Sequence, residues 1–187
     1  MSEPLSHTPA SLPDGMGARI AIIGSSGAGK STLARQLGAR LSLPVIHLDR
    51  HHFRAGWVSM EPEAWQELNR KLAARERWII DGNYSSTMDI RLAAADTIIY
   101  LDFPRLLCVW RAFRRWLTYR GRTRPDLAPD CPEKLDLEFV QWIWNYPTRS
   151  RPATLHRLAA LEGQKEIIRL RSAGEVRDFL SRLPNPD

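Results

Sequence analysis

The chain has 187 residues, 43% of them hydrophobic, and a formal net charge of +6. That length suits one domain with a real core, and the excess of positive charge points to an anionic partner. No apolar run is long enough to cross a membrane, and the two cysteines, Cys108 and Cys131, share no metal-ligand spacing.

Both cysteines are therefore expected as free thiols in a reducing cytoplasm. Residues 1–17 carry no Lys or Arg and no apolar central stretch, which argues against a secretory signal. Rich in Ser, Pro and Gly, residues 1–18 read as a disordered tail ahead of a single domain over 19–187.

The first strand is the apolar run Ala18-Arg19-Ile20-Ala21-Ile22-Ile23. Gly24-Ser25-Ser26-Gly27-Ala28-Gly29-Lys30-Ser31 follows and fits G-x-x-x-x-G-K-[ST], the phosphate-binding P-loop. Its glycines let successive backbone N–H groups turn inward toward phosphate oxygens, and Lys30 adds a point charge near the β- and γ-phosphates. The Ser31 hydroxyl can complete a Mg²⁺ shell. The helix that opens through Thr32, with Leu33, Leu37 and Leu41 at helical spacing, aims its positive end at the same anion.

A second strand over 44–49 ends in Asp49, and a loop with Gly56 follows. Residues 62–75 read as a helix with Pro62 in its first turn and Trp65, Leu68 and Leu72 on one face. The third strand, 77–82, ends in Asp81 and Gly82. A short helix near 87–94 leads to the fourth strand, 97–102, which ends in Asp102. Residues 104–119 form an amphipathic helix whose apolar side, Leu106, Leu107, Val109, Trp110, Phe113, Trp116 and Leu117, is expected in the core. Residues 120–132 lack periodicity and read as a loop. Helices over 133–146, with Pro147 bending or ending the first of them, and 152–161 precede the fifth strand, 166–170, and a last helix, 175–183.

Alternating strands and helices give a parallel sheet covered on both faces, with ligands at the carboxyl ends of the strands. The P-loop, Asp49, Asp81 and Asp102 converge there. Any of the three carboxylates can serve magnesium, and each can equally be a turn former or cap. Seven arginines and no acidic residue lie between Arg105 and Arg124. Arg105 and Arg111 read as solvated helix face. Arg120, Arg122 and Arg124, beside Gly121, read as a mobile lid able to reach a transferring phosphoryl group. Trp57 is a candidate substrate contact. His47, His51 and His52 lack a metal motif and read as solvated or structural.

These residues resemble the nucleoside-monophosphate-kinase branch of P-loop proteins, which includes adenylate and shikimate kinases. Ile22 to Gly27, Trp78 to Tyr84, Tyr119 to Asp126 and Leu135 to Phe139 look more closely like bacterial DNA topology modulation proteins, described as adenylate-kinase-like. The resemblance implies a three-layer P-loop NTPase fold with sheet order 2-3-1-4-5, ATP on the P-loop, Mg²⁺ served by Ser31 and Asp81 rather than Asp102, and an arginine lid. It also implies that the turn from Arg171 to Gly174 touches adenine. One departure stands out. Adenylate kinases follow Asp-Gly with Phe-Pro-Arg, whose arginine grips the acceptor phosphate, and this chain has Asn83-Tyr84-Ser85, leaving Arg54 or Arg91 as substitutes.

The expectation is an ATP- and Mg²⁺-dependent phosphotransferase acting as a monomer or homodimer. Its acceptor is a nucleoside monophosphate or, with Asp49 as base, an alcohol. The alternative is a nucleotide-dependent regulator that binds DNA, for which no recognition motif is present.

Overall fold

Ile20, Ala21, Ile22 and Ile23, successive residues of β1 (Arg19–Gly24), are all buried. A strand apolar on both sides must be covered on both faces. Ile20 and Ile22 join one core with Leu33, Leu37 and Leu41 of α1 (Lys30–Leu41), while Ala21 and Ile23 join the other with Trp65 and Leu72 of α3 (Pro62–Ala73).

The protein is described by a computed structural model covering residues 16–124 and 126–184. The disorder expected for residues 1–15 lies outside the described residues. Met16 packs into the first core, and the Gly17 N–H donates to Thr97 Oγ1 at 3.2 Å.

The remaining elements are β2 (Val45–His47), α2 (Leu48–His52), β3 (Phe53–Arg54), β4 (Val58–Ser59), β5 (Trp78–Asp81), α4 (Met88–Ala94), β6 (Thr97–Leu101), α5 (Arg105–Tyr119), α6 (Leu137–Arg149), α7 (Arg151–Ala159), β7 (Glu166–Leu170) and α8 (Ala173–Ser181). The main sheet is parallel with order β2-β5-β1-β6-β7. Counting only its own five strands along the chain, this is 2-3-1-4-5, as expected. β1 is central, so the P-loop leaves the sheet where the strand order reverses, the usual place for a ligand crevice.

Five local readings change, the first at the second strand, where β2 stops at His47 and Asp49 lies in α2 rather than at a strand end. The loop expected around Gly56 is an antiparallel hairpin, β3 with β4, whose two-residue strands are too short to show alternation. The helix expected from 133 begins at Leu137, because the Asp136 carboxylate caps it by accepting the Phe139 N–H at 2.8 Å. Pro147 lies inside that helix, which continues to Arg149. The largest change concerns α5. Cys108 and Ala112 face the core, and Leu106, Trp110, Phe113 and Leu117 lie on the opposite side and are exposed, Trp110 to 54%. A regular stripe marks one face of a helix, but the stripe alone does not say which face is buried.

Candidate active site

Gly27 sits at φ 77°, and a Cβ there would come within 2.1 Å of the Cys108 carbonyl oxygen. Only glycine lets the P-loop turn this tightly against α5. Gly29 then caps α1 without a side-chain hydrogen bond, and no acidic residue occupies the helix's first turn. The N–H groups and dipole of that turn are left for an anion. Lys30 Nζ donates to the carbonyl oxygens of Gly24 and Ser25, both at 2.9 Å. Burial lowers its pKa, with the charges of Asp49 and Asp81 acting in opposition.

A cleft of about 740 Å³ opens over this loop. Ser26 to Thr32 line it, with Asp49, Asp81 and Arg124. Gly24 and Ser25 lie outside the lining, at the end of β1. Arg120, Arg122 and Arg171 are exposed and do not line it. The Arg120 guanidinium lies 5.3 Å from the Trp116 ring, and the Arg171 N–H donates to Glu175 Oε2 at 2.8 Å. At that end the wall is instead Ala173, Val176 and Leu180, an apolar patch beside Arg177.

Asp81, 3% exposed, ends β5, and its Oδ1 lies at hydrogen-bond distance, 2.7 Å, from His47 Nδ1. Burial alone would lower the His47 pKa, but the hydrogen bond and charge of Asp81 outweigh it and hold it above the ordinary value. His47 also lines the cleft, so its position is beside the candidate magnesium carboxylate rather than in solvent. Asp102 is different. Its carboxylate accepts from Arg151 Nε at 2.8 Å, Arg169 Nε at 3.0 Å and the Tyr100 hydroxyl at 3.1 Å, and it does not line the cleft.

Arg111 and Arg115, one turn apart on α5, face the cleft on the side of the helix near Cys108. Arg111 Nη1 donates to the Ala28 carbonyl at 3.2 Å, which ties α5 to the P-loop and replaces the solvated role expected for it. Arg115 Nε meets Glu133 at 2.7 Å, and Arg124 Nε meets the same carboxyl group at 2.6 Å. Arg124 also reaches Asp126 at 3.1 Å. Asp126 lines the cleft too, and sequence reasoning gave it no role.

The segment between α5 and α6 is irregular yet well anchored. Leu127, Ala128 and Cys131 pack with Phe53 and Trp57 of the hairpin region. Trp57 Nε1 donates to the Pro132 carbonyl at 3.1 Å, and the Gly56 N–H to the Asp130 carbonyl at 3.0 Å. Trp57 thus holds this segment to the hairpin. Cys108 and Cys131 are both buried free thiols.

Arg91 is 1% exposed and binds Asn69 Oδ1, Thr87 Oγ1 and the Gly82 carbonyl at 2.9, 2.9 and 3.3 Å. Burial lowers its pKa to about 10. Arg54 is exposed on the hairpin and lies outside the cleft lining. No described helix is long and apolar enough to cross a membrane.

No family model and no curated protein sequence matches the chain. Among solved structures it is similar to a shikimate kinase from Acinetobacter baumannii in complex with shikimate, at 18% identity and a TM-score of 0.59, over 90% of this chain and 91% of that one. A gluconokinase from Sinorhizobium meliloti 1021 is similar at 16% identity and a TM-score of 0.49, over 89% and 93% of the two chains. At such identities the likeness is one of architecture: the chain has the fold of P-loop kinases.

Proposed function

We propose that the chain is an ATP- and Mg²⁺-dependent phosphotransferase whose acceptor is the hydroxyl of a small molecule. The observation that carries this reading is one cleft lined both by the P-loop with Lys30 and by the Asp49 carboxylate. The loop amides, Lys30 and the first turn of α1 suit a triphosphate tail. Arg111, Arg115 and Arg124 suit charge that develops during transfer. Ser31 and Asp81 fit a magnesium ion, which takes one or two protein oxygens and leaves its other positions to water and phosphate. When bound, the ion would neutralise the β- and γ-phosphates.

The acceptor follows from what surrounds Asp49. The two arginines expected to replace the acceptor-phosphate grip are not placed for it, since Arg91 is spent on protein partners and Arg54 lies outside the lining; the cations that a phosphate acceptor would have to use are Arg35 and Arg177, which line the cleft. An alcohol needs a base instead. As its oxygen bonds the γ-phosphorus, its proton passes to the Asp49 carboxylate. The bond from the γ-phosphorus to the bridging oxygen breaks, and ADP departs with that electron pair. Asp49 then releases the proton to water.

The arginine excess that suggests a nucleic-acid partner is partly drawn into this cleft, which supports the kinase reading over a DNA-binding regulator. The test is a screen of small alcohols and nucleoside monophosphates for acceptor-dependent ADP release. An alcohol should be turned over, and Asp49→Asn should slow it by about 10³-fold. Turnover of nucleoside monophosphates alone, or full activity in Asp49→Asn, would contradict the proposal.

A further inference from the structure

The dipeptide Asn83-Tyr84 stands where the branch resemblance leads one to expect Phe-Pro, and the cleft chemistry above leaves it without a role. Asn83 Oδ1 accepts the N–H of Gly24, the first P-loop glycine, at 3.3 Å. Tyr84 donates its hydroxyl to Asp49 Oδ1 at 2.7 Å. Two adjacent residues therefore touch both halves of the cleft, one at the phosphate-binding loop and the other at the acceptor-side carboxylate.

The Tyr84 ring is itself fixed. It lies 4.6 Å from the His52 ring and 4.9 Å from the Trp65 ring, and Trp65 is a core residue. Burial, then the charge and hydrogen bond of Asp49, push the phenol far above its ordinary pKa, so it stays a donor. Among the described residues no donor reaches Asp49 Oδ2. A carboxylate with one oxygen clamped presents the other in one orientation, which is what a base needs to meet a hydroxyl in line with a phosphoryl group.

We infer that Tyr84 is a positioning residue: it holds Asp49 Oδ1 so that Oδ2 takes the acceptor's proton, and Asn83 keeps that pair in register with the P-loop. This rests on the phosphotransferase reading. It adds a reason why the chain carries Asn-Tyr here: the position serves the base rather than the grip on an acceptor phosphate.

The experiment is ATP consumption by the purified full chain under single-turnover conditions with excess enzyme, water serving as the acceptor. Wild type, Tyr84→Phe, Asp49→Asn and the double variant are compared. Tyr84→Phe keeps the ring and removes only the hydroxyl. It should slow the single-turnover rate about tenfold while leaving the enzyme concentration for half-saturation of that rate within about twofold. Asp49→Asn should lose at least as much. The double variant should be no slower than Asp49→Asn alone, because both changes disable one unit. Thermal melting of each variant separates misfolding from mispositioning. If the wild type releases no ADP either with water or with any alcohol or nucleoside monophosphate of the acceptor screen, the kinase reading and this inference fall together. If it does consume ATP and Tyr84→Phe matches it, or if the two single losses multiply in the double variant, the Tyr84 assignment alone is overturned.

Discussion

Asp81 and Asp102 stand at the carboxyl ends of the two strands that flank β1, and sequence position alone does not separate them. Their neighbours do. Asp102 receives guanidinium groups from α7 and β7 and a tyrosine hydroxyl, so its charge is neutralised and its lone pairs are used. Asp81 has one histidine beside it and faces the cleft. A strand-end carboxylate becomes available for chemistry when the fold leaves it under-committed, and it becomes a structural clasp when arginines close on it.

The sharpest way to break this contrast is Asp81→Ala. Turnover should fall by about 10²–10³-fold with the fold intact, read by steady-state kinetics and circular dichroism. His47→Ala should cost less, about tenfold, since it acts on the carboxylate and not on substrate. Asp102→Asn should leave turnover within about twofold but destabilise the protein by about 2 kcal/mol, measured by denaturant unfolding, because Arg151 and Arg169 lose their common anion. Both arginines are about one-third exposed, which keeps that cost below the figure for a fully buried pair.

Acidification gives a second handle on the Asp102 clasp. Although burial works the other way, the hydrogen bonds and charges of Arg151 and Arg169 hold the Asp102 pKa below the ordinary carboxylate value. Its folded pKa is depressed, so its contribution is complete above the unfolded value of about 3.9 and disappears as pH falls through the lower folded value. Asp102→Asn should therefore flatten the acid limb of stability against pH. A limb as steep as the wild type's would show that the clasp contributes nothing. The smallest effect belongs to the exposed stripe of α5, where Trp110→Ser should change stability by no more than about 0.5 kcal/mol.

The sheet and P-loop were legible because each rests on local pattern. β-branched apolar runs mark the strands, closed by glycine at β1 and β5, and the glycine-lysine spacing has a backbone reason that needs no tertiary context. The site's rim was less legible. Arg111 and Arg115 lie one turn apart in a run of seven arginines, and nothing in the spacing says that their side of α5 is the cleft wall. Leu106, Trp110, Phe113 and Leu117 misled in the same way, since a helix with two marked faces can be docked by either. The hairpin escaped because two-residue strands have no period. The link from Tyr84 to Asp49 spans thirty-five positions and depends on α2 following β2 directly, a turn that the apolar run from Val45 to Leu48 conceals.

Every role proposed for the cleft depends on the loop ahead of α1 holding the tail of a nucleoside triphosphate. Isothermal calorimetry of the wild type and Lys30→Met with ATP, with and without Mg²⁺, tests it most directly. Saturable binding near one equivalent is expected, strengthened by magnesium and weakened at least tenfold by Lys30→Met. Absence of heat at millimolar ATP, or identical isotherms for the two proteins, would contradict it.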